Sequence, residues 1–325
     1  MKISRRKLLH VMAAPAILTL SRGLAVAQAF PSRPIRLLVG FAAGGSTDTM
    51  ARLVGQALTE RLGQTVVVEN KPGAGTNIAT ETAVKSAPDG YTLLMVGPSV
   101  AINATLYKEL NFSFLQDGIP VASVASQSQI MLANPALPVR DIPQFIAYAR
   151  QNPGKITIAS AGIGSIGHLS GELFKMKTGL DLLHVPYRGA APALADLVSG
   201  QTDISFAGIA GSVEFVKSGM LRALGVSTKT RSDRLPEIPS ISEFVPDYES
   251  NDWFGIAAPK NTPSSIIAML NKAISDVIVD EKMKARFSDL GGSPLVMSSD
   301  LFGKLIRDDT EKWGAVIQAA KLTPI

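Results

Sequence analysis

Short apolar runs alternate along this chain with segments whose apolar positions recur every three or four residues. Arg36–Phe41 is almost continuously apolar and predicts a buried strand. Beyond Ala42-Ala-Gly-Gly45, one helical face collects Met50, Leu53, Val54, Ala57, Leu58 and Leu62, with Arg52, Gln56 and Glu60 opposite. Val66–Glu69 predicts a second strand, closed by the turn Asn70-Lys-Pro-Gly73. A helix follows from about Asn77 to Ser86, Pro88-Asp-Gly90 ends it, and Tyr91–Val96 predicts a third strand. Strands that are apolar on both faces, separated by helices, predict a parallel sheet covered on each side.

The middle of the chain repeats this order. Lys155–Ala159 predicts a strand, Ser165–Thr178 a helix, and Leu182–Val185 a strand closed by Pro186-Tyr-Arg-Gly189. Ala191–Val198 then predicts a helix and Asp203–Ala207 a strand, with Leu221–Val226 extending the unit. Ile130–Ala133 reads as a strand crossing between the two units, and Asp252–Ala258 as the return. A helix from about Ser264, a short extended piece near Pro294–Met297 and a last helix over Ser299–Lys321 complete the chain. The expectation is an α/β fold of two lobes, each a mostly parallel sheet flanked by helices. Residues 30–130 and 252–325 would form the first lobe and 131–251 the second.

A length of 325 residues suits two domains of ordinary size, and 46% hydrophobic against 18% charged residues suits packed cores. The first 29 residues read as an export signal. Lys2, Arg5, Arg6 and Lys7 precede an apolar stretch, and Ala25-Val-Ala27 and Ala27-Gln-Ala29 are both A-x-A cleavage sites. His10 and Pro15 interrupt that stretch, which falls short of the ~20 residues of a membrane span. Ser4-Arg-Arg-Lys-Leu-Leu9 also fits a twin-arginine signal with Leu8 in place of Phe, so Sec and Tat export both stay open. A periplasmic location is expected. Removing residues 1–29 takes five of the 32 Lys and Arg and no acid, leaving 27 against 27 Asp and Glu. The basic character therefore belongs to the signal and gives no reason to expect nucleic acid. The absence of cysteine excludes disulfides and thiolate metal sites.

The chemistry gathers at the two places where a strand runs through small residues into a helix. The first is Gly40-Phe-Ala-Ala-Gly-Gly-Ser-Thr-Asp48, the second Ser160-Ala-Gly-Ile-Gly-Ser-Ile-Gly-His168. Such a junction aims unpaired helix-start N–H groups outward, where an anion can accept them. Neither loop contains Lys or Arg, which leaves the binding to backbone dipoles and hydroxyls. The first is not a P-loop, because Ser46 stands where the phosphate-binding Lys belongs. Asp48 would repel an anion and reads as a brace for the loop's amides or for an ordered water. The second loop matches G-x-G-x-x-G over 162–167, but no acid for a ribose ends the next strand, which reads His184-Val-Pro-Tyr187. Arg188 keeps a 2′-phosphate reading open, so an exported NAD(P)-dependent oxidoreductase is the alternative. Ser165 is no hydrolase elbow, since Ile163 sits two residues before it. His168 and His184 without cysteine give no metal set. His168 reads equally as a packed residue and as a donor into a cleft, and Trp253 and Trp313 read as packing residues.

Taken together, Gly40-Phe-Ala-Ala-Gly-Gly-Ser-Thr-Asp48, Glu69-Asn-Lys-Pro-Gly-Ala-Gly75, Pro88-Asp-Gly-Tyr-Thr-Leu93, Ser160-Ala-Gly-Ile-Gly-Ser165 with His168, and Pro186-Tyr-Arg-Gly189 resemble the Bug-type, or TctC-type, periplasmic solute receptors. The resemblance spans the chain after its signal. It implies a Venus-flytrap fold with a discontinuous first lobe and a small organic acid held between the two loops. The carboxylate would meet Phe41, Gly45, Ser46, Thr47 and Asp48 with Ser99 from the first lobe. From the second it would meet Ser160, Ala161, Gly162, Gly164, Ser165 and His168 with Ala207. The resemblance further implies a monomeric, non-enzymatic receptor without cofactor or metal. Its partners would be membrane transporter subunits or a sensor protein. Phe41, Ala42 and Ala43 stand where the family's first loop often has Tyr or Pro, which alters the pocket wall.

Overall fold

The computed structural model describes residues 30–187, 189–232 and 235–323. The expected export segment and Arg188 lie outside them. In chain order the first unit comprises β1 (Ile35–Val39), α1 (Ser46–Leu62), β2 (Val66–Asn70), α2 (Asn77–Val84), β3 (Thr92–Val96), α3 (Ser99–Leu106) and α4 (Phe114–Asp117). The long strand β4 (Gly118–Ala133) leads to α5 (Ile142–Gln151), β5 (Thr157–Ser160), α6 (Ile166–Thr178), β6 (Leu183–Pro186), α7 (Ala190–Ser199), β7 (Ile204–Gly208), α8 (Ile209–Lys217) and β8 (Arg222–Val226). The chain closes with β9 (Asn251–Pro259), α9 (Ser264–Ile278), α10 (Glu281–Asp289), β10 (Gly292–Pro294) and α11 (Ser299–Ala319).

The strands form a two-lobe α/β fold. One lobe has the order β2-β1-β3-β9-β4-β10, with β1 parallel to β2 and β3, and β9 antiparallel to both β3 and β4. The other has the order β8-β4-β7-β5-β6, with β7, β5 and β6 parallel and β4 antiparallel to β7 and β8. Strand β4 serves both: Gly118–Ser128 pairs with β9, and Gln129–Ala133 with β7. The crossing strand is therefore sixteen residues long, where the apolar pattern marks only its last four.

Alternation along each strand divides the cores. Ile35, Leu37 and Val39 join Phe254 and Ile256 under α1, α9 and α10, while Leu38, Leu94, Trp253 and Ala257 face α2 and Phe302 of α11. In the other lobe Met131, Ile158 and Phe206 pack with α5 and α6, and Ile130, Leu132 and Val226 with α7 and α8. The first of those two clusters also recruits Ile102 and Leu106 of α3 and Trp313 and Ile317 of α11, so the last helix reaches both lobes. Gly255 lets it approach, because a Cβ there would stand 2.1 Å from the Phe302 ring. Among the described residues no helix is long and apolar enough to cross a membrane.

Candidate functional site

The first glycine loop leaves the carboxyl end of β1 and opens α1. Gly45 precedes the helix with no side-chain cap, so the N–H groups of Ser46, Thr47 and Asp48 have neither a carbonyl partner in the helix nor a capping oxygen. The loop is exposed from Phe41 through Ser46. Beneath it the Asp48 side chain is buried and accepts three hydrogen bonds, from Gly44 N–H, Arg52 Nε and Asn70 Nδ2, each at 2.9 Å. Burial raises the carboxyl's pKa, but Arg52, Gly44 and Asn70 together overcome it and hold the group below its usual range. Asn70 also donates to the Phe41 carbonyl at 3.0 Å, which ties the outer part of the loop to the end of β2. Gly40 lies directly on Thr76, and Thr76 Oγ1 donates to Ser99 Oγ at 3.2 Å, bringing the start of α3 to the same end of the sheet.

The second loop leaves the corresponding end of β5 and opens α6. Here Ser165 caps the helix, its Oγ accepting from His168 N–H at 3.3 Å. Gly164 N–H donates to His168 Nδ1 at 3.1 Å, Ser165 N–H to the Gly162 carbonyl at 3.1 Å, and Gly162 N–H to Ser160 Oγ at 3.2 Å. These amides are therefore engaged within the loop, whereas those of Ile166 and Gly167 begin the helix without a carbonyl partner in it. His168 is turned inward at 2% exposure and stacks on His184, ring centroids 3.8 Å apart. His184 Nε2 in turn bonds Ser160 Oγ at 2.6 Å. Burial, helped by the neighbouring ring and Lys175, pushes His168 down to about 3, and burial with Lys175 takes His184 to about 4. Both rings are neutral near pH 7. Since Nδ1 of His168 accepts, its proton sits on Nε2, which is buried without a partner and 3.9 Å from Glu172.

Of the residues singled out from the sequence, Phe41 and Gly45–Asp48 line one loop, and Ser160–Ser165 and His168 form the other. Ala207, buried at 8% exposure, ends β7 beside Ile130 of the crossing strand. Asn70, the His184–Ser160 bond and Leu106 were not singled out. Asn70 ends β2, the strand paired with β1, and only that pairing brings it under the loop. Leu106 closes α3 and stands 2.4 Å from where a Cβ of Gly164 would be. A pyrophosphate needs open space beside the second glycine of G-x-G-x-x-G. In this loop that glycine faces a leucine and has given its amide to a histidine, and the dinucleotide reading finds no support.

The chain matches known proteins over most of its length. Residues 50–322 match the family model of the tripartite tricarboxylate transporter family receptor. Protein BugT of Bordetella pertussis is 35% identical over 295 residues, covering 90% of each chain. Among solved structures, R. palustris Rpa4515 with adipate superposes with a TM-score of 0.82 at 32% identity, over 91% of this chain and all of that one. MatC (Rpa3494) from Rhodopseudomonas palustris with bound malate does so with a TM-score of 0.77 at 30% identity, over 89% of this chain and all of that one. The shared fold and these matches place the chain in the TctC family of tripartite tricarboxylate transporter receptors.

Proposed function

We propose that this receptor holds the carboxylate of a small organic acid between its two glycine loops and hands the acid to membrane transporter subunits or to a sensor. The observation that carries this is the uncapped start of α1 behind the exposed Ser46, whose N–H has no partner in the helix, with the buried Asp48 carboxylate beneath it paired with Arg52 and bonded by Gly44 and Asn70. On this reading Ser46, Thr47 and Asp48 N–H groups, with Ser99, receive the anion from one lobe. The open amides of Ile166 and Gly167 at the start of α6 receive it from the other, and His168 acts by holding Gly164 in place. Residues 30–130 with 252–325 form one jaw and 131–251 the other, joined where β4 changes partners. The protein works as a monomer in the periplasm after losing residues 1–29, and returns its ligand chemically unchanged. The family membership and the adipate- and malate-bound relatives support this reading.

A thermal-shift screen of mono-, di- and tricarboxylates tests it. An acid at a hundred times its dissociation constant should stabilise the fold by ~2.7 kcal/mol. Gly45→Asp should abolish that gain, because a carboxylate side chain would sit in the path of the anion. The backbone at Gly45 is ordinary (φ −78°, ψ 171°), and a Cβ would meet only the Ala42 carbonyl at 3.7 Å, so the variant should fold. Gly164 is a poorer probe: its φ of +77° and its contact with Leu106 would make any side chain a folding defect. Unchanged affinity in Gly45→Asp, or stabilisation by NAD(H) alone, would refute the assignment.

A further inference from the structure

A carboxylate fills only one end of such a ligand, and the flanks of the two loops must meet the rest. Each loop carries a single large side chain, and both are apolar. Phe41 is 44% exposed and Ile163, set between Gly162 and Gly164, is 55% exposed. Ala42, Ala43 and Ala161 beside them are exposed as well. Neither Phe41 nor Ile163 belongs to any of the buried clusters, and about half of each side chain is left open to solvent. Apolar surface held open on both sides of a binding site marks the place where an apolar partner is to be covered.

Charge points the same way. The amides of Gly162, Gly164 and Ser165 are already engaged within the second loop, which leaves few donors for a second ionised carboxylate, and neither loop contains Lys or Arg to meet one. The basic residues that flank the first loop are both engaged, Arg36 with Glu69 and Arg52 with Asp48 and Asn70. The two histidines behind the second loop face each other and Ser160. An added hydroxyl on the ligand would likewise exchange water for phenyl and alkyl surface, losing hydrogen bonds without replacement.

We propose, resting on the carboxylate reading above, that Phe41 and Ile163 close as an apolar clamp on the ligand's body. The clamp selects monocarboxylates with an aliphatic or aromatic skeleton over dicarboxylates and hydroxy acids. Calorimetric titration of the full chain without its export segment, using acetate, hexanoate, benzoate, adipate and malate, tests this. Hexanoate or benzoate should bind at least tenfold more tightly than adipate or malate, the contrast expected when one buried alkyl or aryl group replaces an unpaired charge. Ile163→Ser should lower the ratio of hexanoate to acetate affinity about tenfold, since acetate presents the same head without the body. Tighter binding of adipate or malate than of hexanoate, or an unchanged ratio in Ile163→Ser, overturns the clamp while leaving the carboxylate reading intact. If none of the acids binds the unaltered protein, the carboxylate reading itself has failed, and the clamp with it.

Discussion

His168 and His184 are stacked, neutral and buried beneath the loop whose amide one of them holds. An imidazole in such a place resists protonation, and that resistance is a stability term. With pKa values depressed to about 3 and about 4, both rings stay neutral in the folded protein at a pH where the unfolded chain, near 6.5, already takes up protons. The stability they contribute is therefore complete above about pH 6.5 and declines as the pH falls through the folded values. The more deeply buried His168 alone should steepen the decline by up to ~1.4 kcal/mol per pH unit below pH 6. Urea unfolding of wild type and His168→Gln at pH 7, 6, 5 and 4 checks this. Equal slopes for the two proteins would mean that the ring does not carry the effect. The sequence made His168 conspicuous but left its direction open, because inward and outward rings occupy the same helix position. What turns it inward is the Gly164 amide and the facing His184, a contact set by strand pairing between β5 and β6.

The two cradle helices begin differently, and the difference lies in one hydroxyl. Ser165 caps α6, whereas Gly45 leaves α1 open. Ser165→Ala should cost ~1 kcal/mol of stability, as loss of a serine cap does, and weaken acid binding only modestly, since the open start is on the other lobe. A melt with and without the best acid from the screen separates the two effects. A loss of binding as complete as that of Gly45→Asp would shift the principal anion contact to α6. The strand–glycine–helix junctions were legible from the sequence because apolar period and punctuation agree there. The first twelve residues of β4 were not. Pro120, Ser123, Ser126, Gln127 and Ser128 break the apolar run, yet Ser123 and Gln127 are buried and donate to the carbonyls of Leu295 and Leu290. Helix α3 was missed for the opposite reason: Val100, Ala101, Ile102, Asn103 and Leu106 are buried nearly all round, and no polar stripe marks the period.

At the scale of the whole molecule, the two sheets are joined by a small polar knot. Ser227 N–H donates to the Gln129 carbonyl and Gln129 N–H to Ser227 Oγ, both at 2.9 Å, while Ser227 Oγ donates to the Ser250 carbonyl. Ser250 Oγ meets Ser170 Oγ at 2.5 Å, and Tyr248 Oη donates to the Ser170 carbonyl. Gln129, Ser227 and Ser250 mark the points where the chain passes between sheets, so the knot sits where the two sheets meet. Ser227→Ala leaves the Gln129 amide and the Ser250 carbonyl without this partner and should cost ~2 kcal/mol or more, because each buried group then loses its hydrogen bond. Chemical denaturation measures it, and a cost below ~0.5 kcal/mol would show that neighbouring groups take over. The apolar segment Asp252–Ala258 marked the strand that pairs with β3 and β4, but the serines that fasten the crossing carry no periodic signal.

The reach of α11 across both lobes gives the protein an optical consequence. The chain has two tryptophans, and each sits on or against this one helix. Trp253, on β9, is fastened to the helix itself, Nε1 donating to Asp309 of α11 at 2.7 Å. Trp313 is fully buried among side chains of α3 and α6, its Nε1 without a hydrogen-bond partner and Lys312 4.3 Å over its ring. One indole thus stays with a single jaw, and the other lies in the packing shared by both. On the two-jaw reading, closure on an acid should shift the emission of Trp313, with that of Trp253 as the internal reference. Acid binding should then be visible in the intrinsic fluorescence, with no label added.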